Sequence, residues 1–200
     1  MTAIPRRPPP GPITADIFPA CKGRIVGIDP GTRRVGWGVI EDRPRGPVAL
    51  AFGCIAPRGD YAARLRGIYE ELLGVLLNWK PSEVAIESVF YGKNIRTAIK
   101  IGEGRGVALL AAAMAGVPVF EYPPALVKKA VAGGGGASKA RVAVMAGAVL
   151  GRPDLSRVPP DASDALAIAL CHAHRRRTGL FATRRKTTWK SLFAKAGSRA

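Results

Sequence analysis

Acidic residues are scarce in this chain: 14 Asp and Glu stand against 31 Lys and Arg, for a net charge of +17. That imbalance points to a phosphate polyanion as partner, because neutralising phosphates releases condensed counterions. Charge alone leaves open a ribosome-like or merely adhesive basic protein. Cysteine is sparse too. Cys21, Cys54 and Cys171 are scattered with no C-x-x-C, which excludes a disulfide framework and suits a reducing cytoplasm. Cys171, His172 and His174 lie close together, but no second ligand cluster completes a zinc site. No apolar run approaches the roughly 20 residues that span a bilayer, so no membrane partner is expected. The N-terminus lacks the apolar core of a secretory signal. No GKS or GKT occurs, which excludes a nucleotide P-loop.

The positive charge is unevenly spread. Residues 175–200 carry nine Lys and Arg and no acid. The lead, residues 1–22 (MTAIPRRPPPGPITADIFPACK), is Pro-rich and adds little charge. Neither segment has the composition to bury a core of its own, so both are expected to be disordered around one folded domain at residues 23–174. Overall, 48% hydrophobic content is ample for that core.

Within the domain, Arg24 to Ile40 (RIVGIDPGTRRVGWGVI) reads as a β-hairpin, two β-branched runs about a turn at Pro30-Gly31. Asp29 ends the first strand, where a carboxylate is unfavourable unless it caps the turn or meets something else. Val48 to Ile55 supplies a third strand of an antiparallel meander. Leu65, Ile68, Leu72 and Leu76 give helical spacing from Tyr61 to Trp79, stopped at Pro81. Glu83 to Glu87 follows as a strand returning parallel into the sheet. Glu87 ends it as Asp29 ends the first, so neighbouring strands would bring both carboxylates to one edge.

The loop Ser88 to Asn94 mixes Phe90 and Tyr91 with Lys93, a composition that serves base stacking and phosphate contact or simply pins a loop. Ile95 to Ala115 reads as a helix whose second half, Val107 to Met114, is apolar on every face; it needs a second partner besides the sheet, which a subunit interface supplies most economically and a large core could supply too. Val117 to Glu121 is a fifth strand and Pro124 to Val131 a short helix with Lys128 and Lys129. Four glycines, Gly133 to Gly136, precede Ser138, an N-cap for a helix to Leu150 whose first turn holds Lys139 and Arg141. That is a ready phosphate site, or a plain linker. Pro159-Pro160 opens a last helix over Asp161–His174, with Asp161 and Asp164 on one face of its first turn. Helix capping is a normal reason for two Asp in a first turn, though neither needs the other for it. Four acids gathered in so basic a protein would be costly without cations between them, and Mg²⁺ suits oxygen ligands.

Taken in order, GIDPGTRRVGWGVI, AIESVFYGKN, the stretch from EGRGVALLAAAMAG to GGGGASKARV, and PPDASDALAIALCHAH resemble the RuvC family of Holliday junction resolvases. The resemblance covers residues 24–174. It implies an α/β fold of ribonuclease H-like type, a mixed five-stranded sheet flanked by helices. It implies a homodimer that nicks two symmetric strands of a four-way DNA junction in recombination and repair, in the bacterial cytoplasm. On the matching positions, Asp29, Glu87, Asp161 and Asp164 are its catalytic metal-binding acids, for Mg²⁺ with Mn²⁺ as substitute in a two-metal hydrolysis. Phe90 is its base-stacking aromatic, with Tyr91 and Lys93 beside it. Lys128 and Lys139 are its junction-contacting lysines, and Arg141 lies next to the second. A branch-migration complex of RuvA–RuvB type is the implied protein partner. Two alternatives share the fold: a YqgF-type RNA nuclease, which has a similar G-I-D-x-G hairpin, and a nucleic-acid-binding protein without catalysis.

Overall fold

The computed structural model describes residues 20–88 and 95–179, the side chains of 95–98 excepted. Five strands form one sheet: β1 (Cys21–Asp29), β2 (Val35–Arg43), β3 (Gly46–Ile55), β4 (Pro81–Glu87) and β5 (Val119–Tyr122), in the order β3-β2-β1-β4-β5. β1 to β3 are antiparallel neighbours, whereas β4 pairs parallel with both β1 and β5. This is the mixed sheet expected from the sequence. β1 is central and covered on both faces, which is why Ile25-Val26-Gly27-Ile28 has no polar alternation.

The helices divide between the faces. Helices α1 (Tyr61–Trp79) and α2 (Ile95–Met114) cover Val26, Ile28, Val35, Val39, Val84 and Ile86. On the other face, α3 (Pro124–Ala132), α4 (Lys139–Leu150) and α5 (Pro160–Arg177) cover Ile25, Ile40, Ala85, Phe120 and Tyr122. Side chains alternate along a strand, so Asp29 shares its face with Ile25 and Glu87 shares its face with Ala85. Both acids therefore look toward the α5 side. None of the helices among the described residues is long and apolar enough to cross a membrane.

Helix α5 seats unusually close to β1 and β2 because three glycines floor its path. A Cβ on Gly27 would stand 2.0 Å from the Ala165 carbonyl oxygen, one on Gly36 would stand 1.8 Å from that of Asp161, and one on Gly38 would meet Leu166 at 2.7 Å. Gly27 and Gly38 are cross-strand partners, so the floor is continuous. Backbone cannot yield as a flexible side chain can. Gly27→Ala should thus destabilise the fold by ~3 kcal/mol or more, the upper range of overpacking. Gly74→Ala, in α1 with open space about it, should stabilise by ~1 kcal/mol. Urea unfolding of the two variants checks the contrast.

Several boundaries differ from the sequence reading. β1 begins at Cys21, whose amide donates to the Lys80 carbonyl, so the folded part reaches into the Pro-rich lead. β5 starts at Val119 rather than Val117, because the Val117 amide is taken by Ala112 at the end of α2. Helix α5 runs on to Arg177 instead of stopping at His174. Arg176 binds Glu83 at 3.0 Å, and Arg177 reaches both Asp42 and the Arg43 carbonyl across the β2–β3 turn. Three of the nine cations assigned to the tail, Arg175 with these two, therefore belong to the domain. The expected disorder of both termini concerns residues outside those described. Cys171 and His172 are buried in α5, and His172 bonds Tyr122 Oη at 2.6 Å and Glu83 at 3.1 Å, tying α5 to β4 and β5. The apolar second half of α2 is split: Ala108, Ala111 and Ala112 are fully buried, while Ile99, Gly106, Leu110 and Ala113 form an exposed stripe.

Candidate active site

The four acids come from three elements that end at one place. Asp29 is the last residue of β1, and Glu87 the last of β4. Ile28 pairs with Ile86 in the parallel ladder, so the next residues, Asp29 and Glu87, emerge level with each other. Across the antiparallel pair, Asp29 lies opposite Gly36, the glycine on which the Asp161 backbone rests. The glycine floor thus sets the height at which α5 delivers Asp161 and, one turn on, Asp164. Pro160 opens that helix without needing a partner for an amide it lacks, and Ser163 Oγ donates to the Pro160 carbonyl at 2.9 Å. Both Asp sit at the positive end of the helix dipole, which partly offsets their mutual repulsion.

Electrostatics show how near the four charges are. The Asp29 carboxyl is pushed up to about 7, first by burial, then by the charges of Glu87 and Asp164; Lys139 pulls the other way, and Asp161 adds a smaller push. Glu87 is raised by burial and by Asp164, opposed by Lys139 and Lys128. Lys139 is raised chiefly by its hydrogen bond to Asp164, at 2.5 Å. Arg34, in the β1–β2 turn, stands on Asp161 at 3.4 Å. The two α5 acids therefore have ion pairs, whereas Asp29 and Glu87 have none among the described residues.

Lys128 on α3 and Lys139 at the start of α4 are both within electrostatic reach of Glu87. They flank the acids. Arg141 is exposed in the first turn of α4, its amide donating to Ser138 Oγ at 3.3 Å, so the predicted N-cap forms. Phe90, Tyr91 and Lys93 lie outside the described residues. Two groups at the site escaped the sequence reading. Arg34 gave no signal separating it from Arg33. Cys54, at the end of β3 opposite Gly36, has its thiol raised by burial and by Asp161, with the Ala162 amide partly offsetting both. Only the strand register places it there.

The donor set fits a hard divalent cation. Four carboxylates supply oxygen alone, and the Asp29 carboxyl is raised by burial first and then by the charges of Glu87 and Asp164, both of which a bound cation would offset. As the side chains stand, no three such groups among the described residues are gathered tightly enough to hold one ion. Lys139 and Arg34 hold the α5 acids instead.

Comparison with known proteins covers nearly all of this domain. Residues 25–172 match the family described as "Crossover junction endodeoxyribonuclease RuvC". A protein of that description from Pelotomaculum thermopropionicum is 44% identical over 152 residues, covering 75% of this chain and 92% of the relative. One from Chloroflexus aggregans is 47% identical over 154 residues, 76% of this chain and 93% of the relative. Among solved structures, Thermus thermophilus RuvC superposes with a TM-score of 0.72 at 36% identity, covering 79% of this chain and 98% of that one. The same protein in complex with Holliday junction substrate superposes at 0.73, with 79% and 97% covered.

Proposed function

This chain belongs to the RuvC family of crossover junction endodeoxyribonucleases, and on that premise we propose that Asp29, Glu87, Asp161 and Asp164 hold the divalent metal with which it nicks four-way DNA junctions. The observation that carries the reading is the levelling of Asp29 and Glu87 at the ends of adjacent parallel strands, beneath the first turn of α5. Mg²⁺, or Mn²⁺ in its place, would supply Lewis acidity for phosphodiester hydrolysis there, in the two-metal form for the entering and the leaving oxygen alike.

The chain's own residues do the rest. Asp29, whose carboxyl is raised first by burial and then by the charges of Glu87 and Asp164, would bind the metal as the carboxylate. With a metal held there, Lys139 and Arg34 would leave Asp164 and Asp161, and their ammonium and guanidinium would be free at the rim to meet a phosphate. Lys128, beside Glu87, adds a third cation on the α3 side. Phe90, Tyr91, Lys93 and Arg141 complete the proposed DNA surface, resting on the resemblance and on charge. A branch-migration partner of RuvA–RuvB type rests on the family alone.

A four-way junction has near two-fold symmetry, and paired nicks need two sites related by it, so the working unit is a C2 dimer. The exposed stripe of α2 suits that role: Gly106 and Ala113 let a second helix approach, and Leu110 and Ile99 give it apolar contact. Leu110→Lys should yield a folded monomer in light scattering at micromolar concentration; a dimer unchanged by it would move the interface elsewhere. The function itself is tested by incubating the protein with a four-way junction and with linear duplex of the same sequence. Nicking of the junction alone, dependent on Mg²⁺ or Mn²⁺, is the expected result. Metal-independent nicking, or equal nicking of the duplex, would overturn it.

A further inference from the structure

Besides the α2 stripe, a second apolar surface stays open, on α4. Its inward residues Val142, Ala143, Ala146, Gly147 and Leu150 are buried, while Val144, Met145 and Val149 are 56%, 38% and 50% exposed. Ala148 is exposed between them, so one side of the helix beyond Arg141 offers only apolar atoms to water. A monomer rarely leaves contiguous aliphatic surface uncovered without a use for it. A second copy is a poor occupant, because one self-complementary face closes a C2 dimer and α2 supplies it. Nucleic acid is poorer still, having no phosphate partner on this face.

The chain itself carries a matching segment. Trp189, Leu192, Phe193 and Ala196 fall at i, i+3, i+4 and i+7, one face of a helix, with Lys190, Ser191 and Lys195 off that face. Its starting point suits the reach required. Helix α5 packs against α4, and Gly179, at φ +67°, turns the chain back as α5 ends. The nine residues 180–188 can extend to roughly 30 Å, against about 27 Å for the whole length of α5. We propose that residues 189–196 dock as an amphipathic turn of helix on the Val144–Met145–Ala148–Val149 face of the same domain. Docking there would lay Arg184, Arg185, Lys186, Lys190 and Lys195 along a helix whose start already holds Lys139 and Arg141. The tail's charge would become an extension of the DNA-facing edge, at a fixed place instead of a diffuse one. The inference rests on the fold, the tail sequence and the α2 dimer proposed above, and it stands or falls apart from the assignment of the acids.

Trypsin reads the arrangement on the full chain without DNA. Cleavage after Lys190 and Lys195 should be at least tenfold slower than in a peptide of residues 180–200. Val144→Asp with Val149→Asp should bring it to the peptide's rate, since proteolysis follows the population of the open form. These positions are exposed, so the thermal midpoint of the domain should hold; Trp189→Ser with Phe193→Ser, outside the domain altogether, should expose Lys195 equally. Equal rates in the wild type and in both double variants would overturn the proposal. So would a dimer that turns monomeric in the Val144→Asp, Val149→Asp protein, which would hand this face to a second copy.

Discussion

Asp29→Asn should lower junction cleavage by well over about a hundredfold, the upper cost of losing a group that merely orients a metal ligand, while leaving junction binding intact or tighter. Asn keeps the shape and removes a carboxylate charge that, like that of Glu87, has no ion pair among the described residues. Binding should not suffer, because taking negative charge from a surface that faces phosphates favours the complex. Misfolding is separable from this effect by its sign. The Asp29 carboxyl is raised from 3.8 to about 7 in the fold, so the native state binds the extra proton between those values and its stability falls as pH climbs through that window. Without metal, Asp29→Asn should consequently unfold later than the wild type above pH 7, by on the order of 2 kcal/mol. Cleavage near the wild-type rate would remove Asp29 from the chemistry. A folded variant that no longer bound the junction would make the acids structural.

Deleting residues 180–200 should flatten the dependence of binding on salt. The cut belongs after Gly179, not after His174, because Arg176 and Arg177 hold α5 to Glu83 and Asp42. Six cations then remain in the tail: Arg184, Arg185, Lys186, Lys190, Lys195 and Arg199. With half of them on phosphates, at about 0.9 per contact, the slope of log K against log salt should shrink by roughly three units. Affinity near 0.1 M salt should fall on the order of a hundredfold, for junction and linear duplex alike. Preference for the junction should survive, since shape is read by the folded domain. Titration of both DNAs at several salt concentrations decides it. A slope that does not change would exclude the tail from DNA and leave a protein partner for Trp189 and Phe193.

Much of the site was legible because its acids sit where acids are locally unfavourable. Asp29 closing an apolar strand, Glu87 closing another, and a repelling pair in one helical turn each ask for a common cause. The crossover rule gives a parallel return into the sheet; that β4 lies beside β1, which fixes the edge the two carboxylates share, comes from the assembled sheet. Nothing local marks Gly27, Gly36 and Gly38, because their role as the seat of α5 depends on a contact with residues more than 120 positions away. Arg34 was illegible for a related reason, since its partner Asp161 lies across the chain and a turn of two arginines does not say which one reaches. The extent of α5 was misjudged because a run of three arginines reads as solvated tail. Glu83 and Asp42, which turn two of them into structural ion pairs, are visible only once the sheet is assembled.

A crystal of the metal-free protein soaked in Mn²⁺, with anomalous scattering recorded at the manganese edge, tests the site most directly. Anomalous density bonded to Asp29 and bordered by Glu87, Asp161 and Asp164, with Lys139 and Arg34 turned away from the α5 acids, is the predicted result. Manganese bound elsewhere, with Lys139 still on Asp164 and Arg34 still on Asp161, would contradict it.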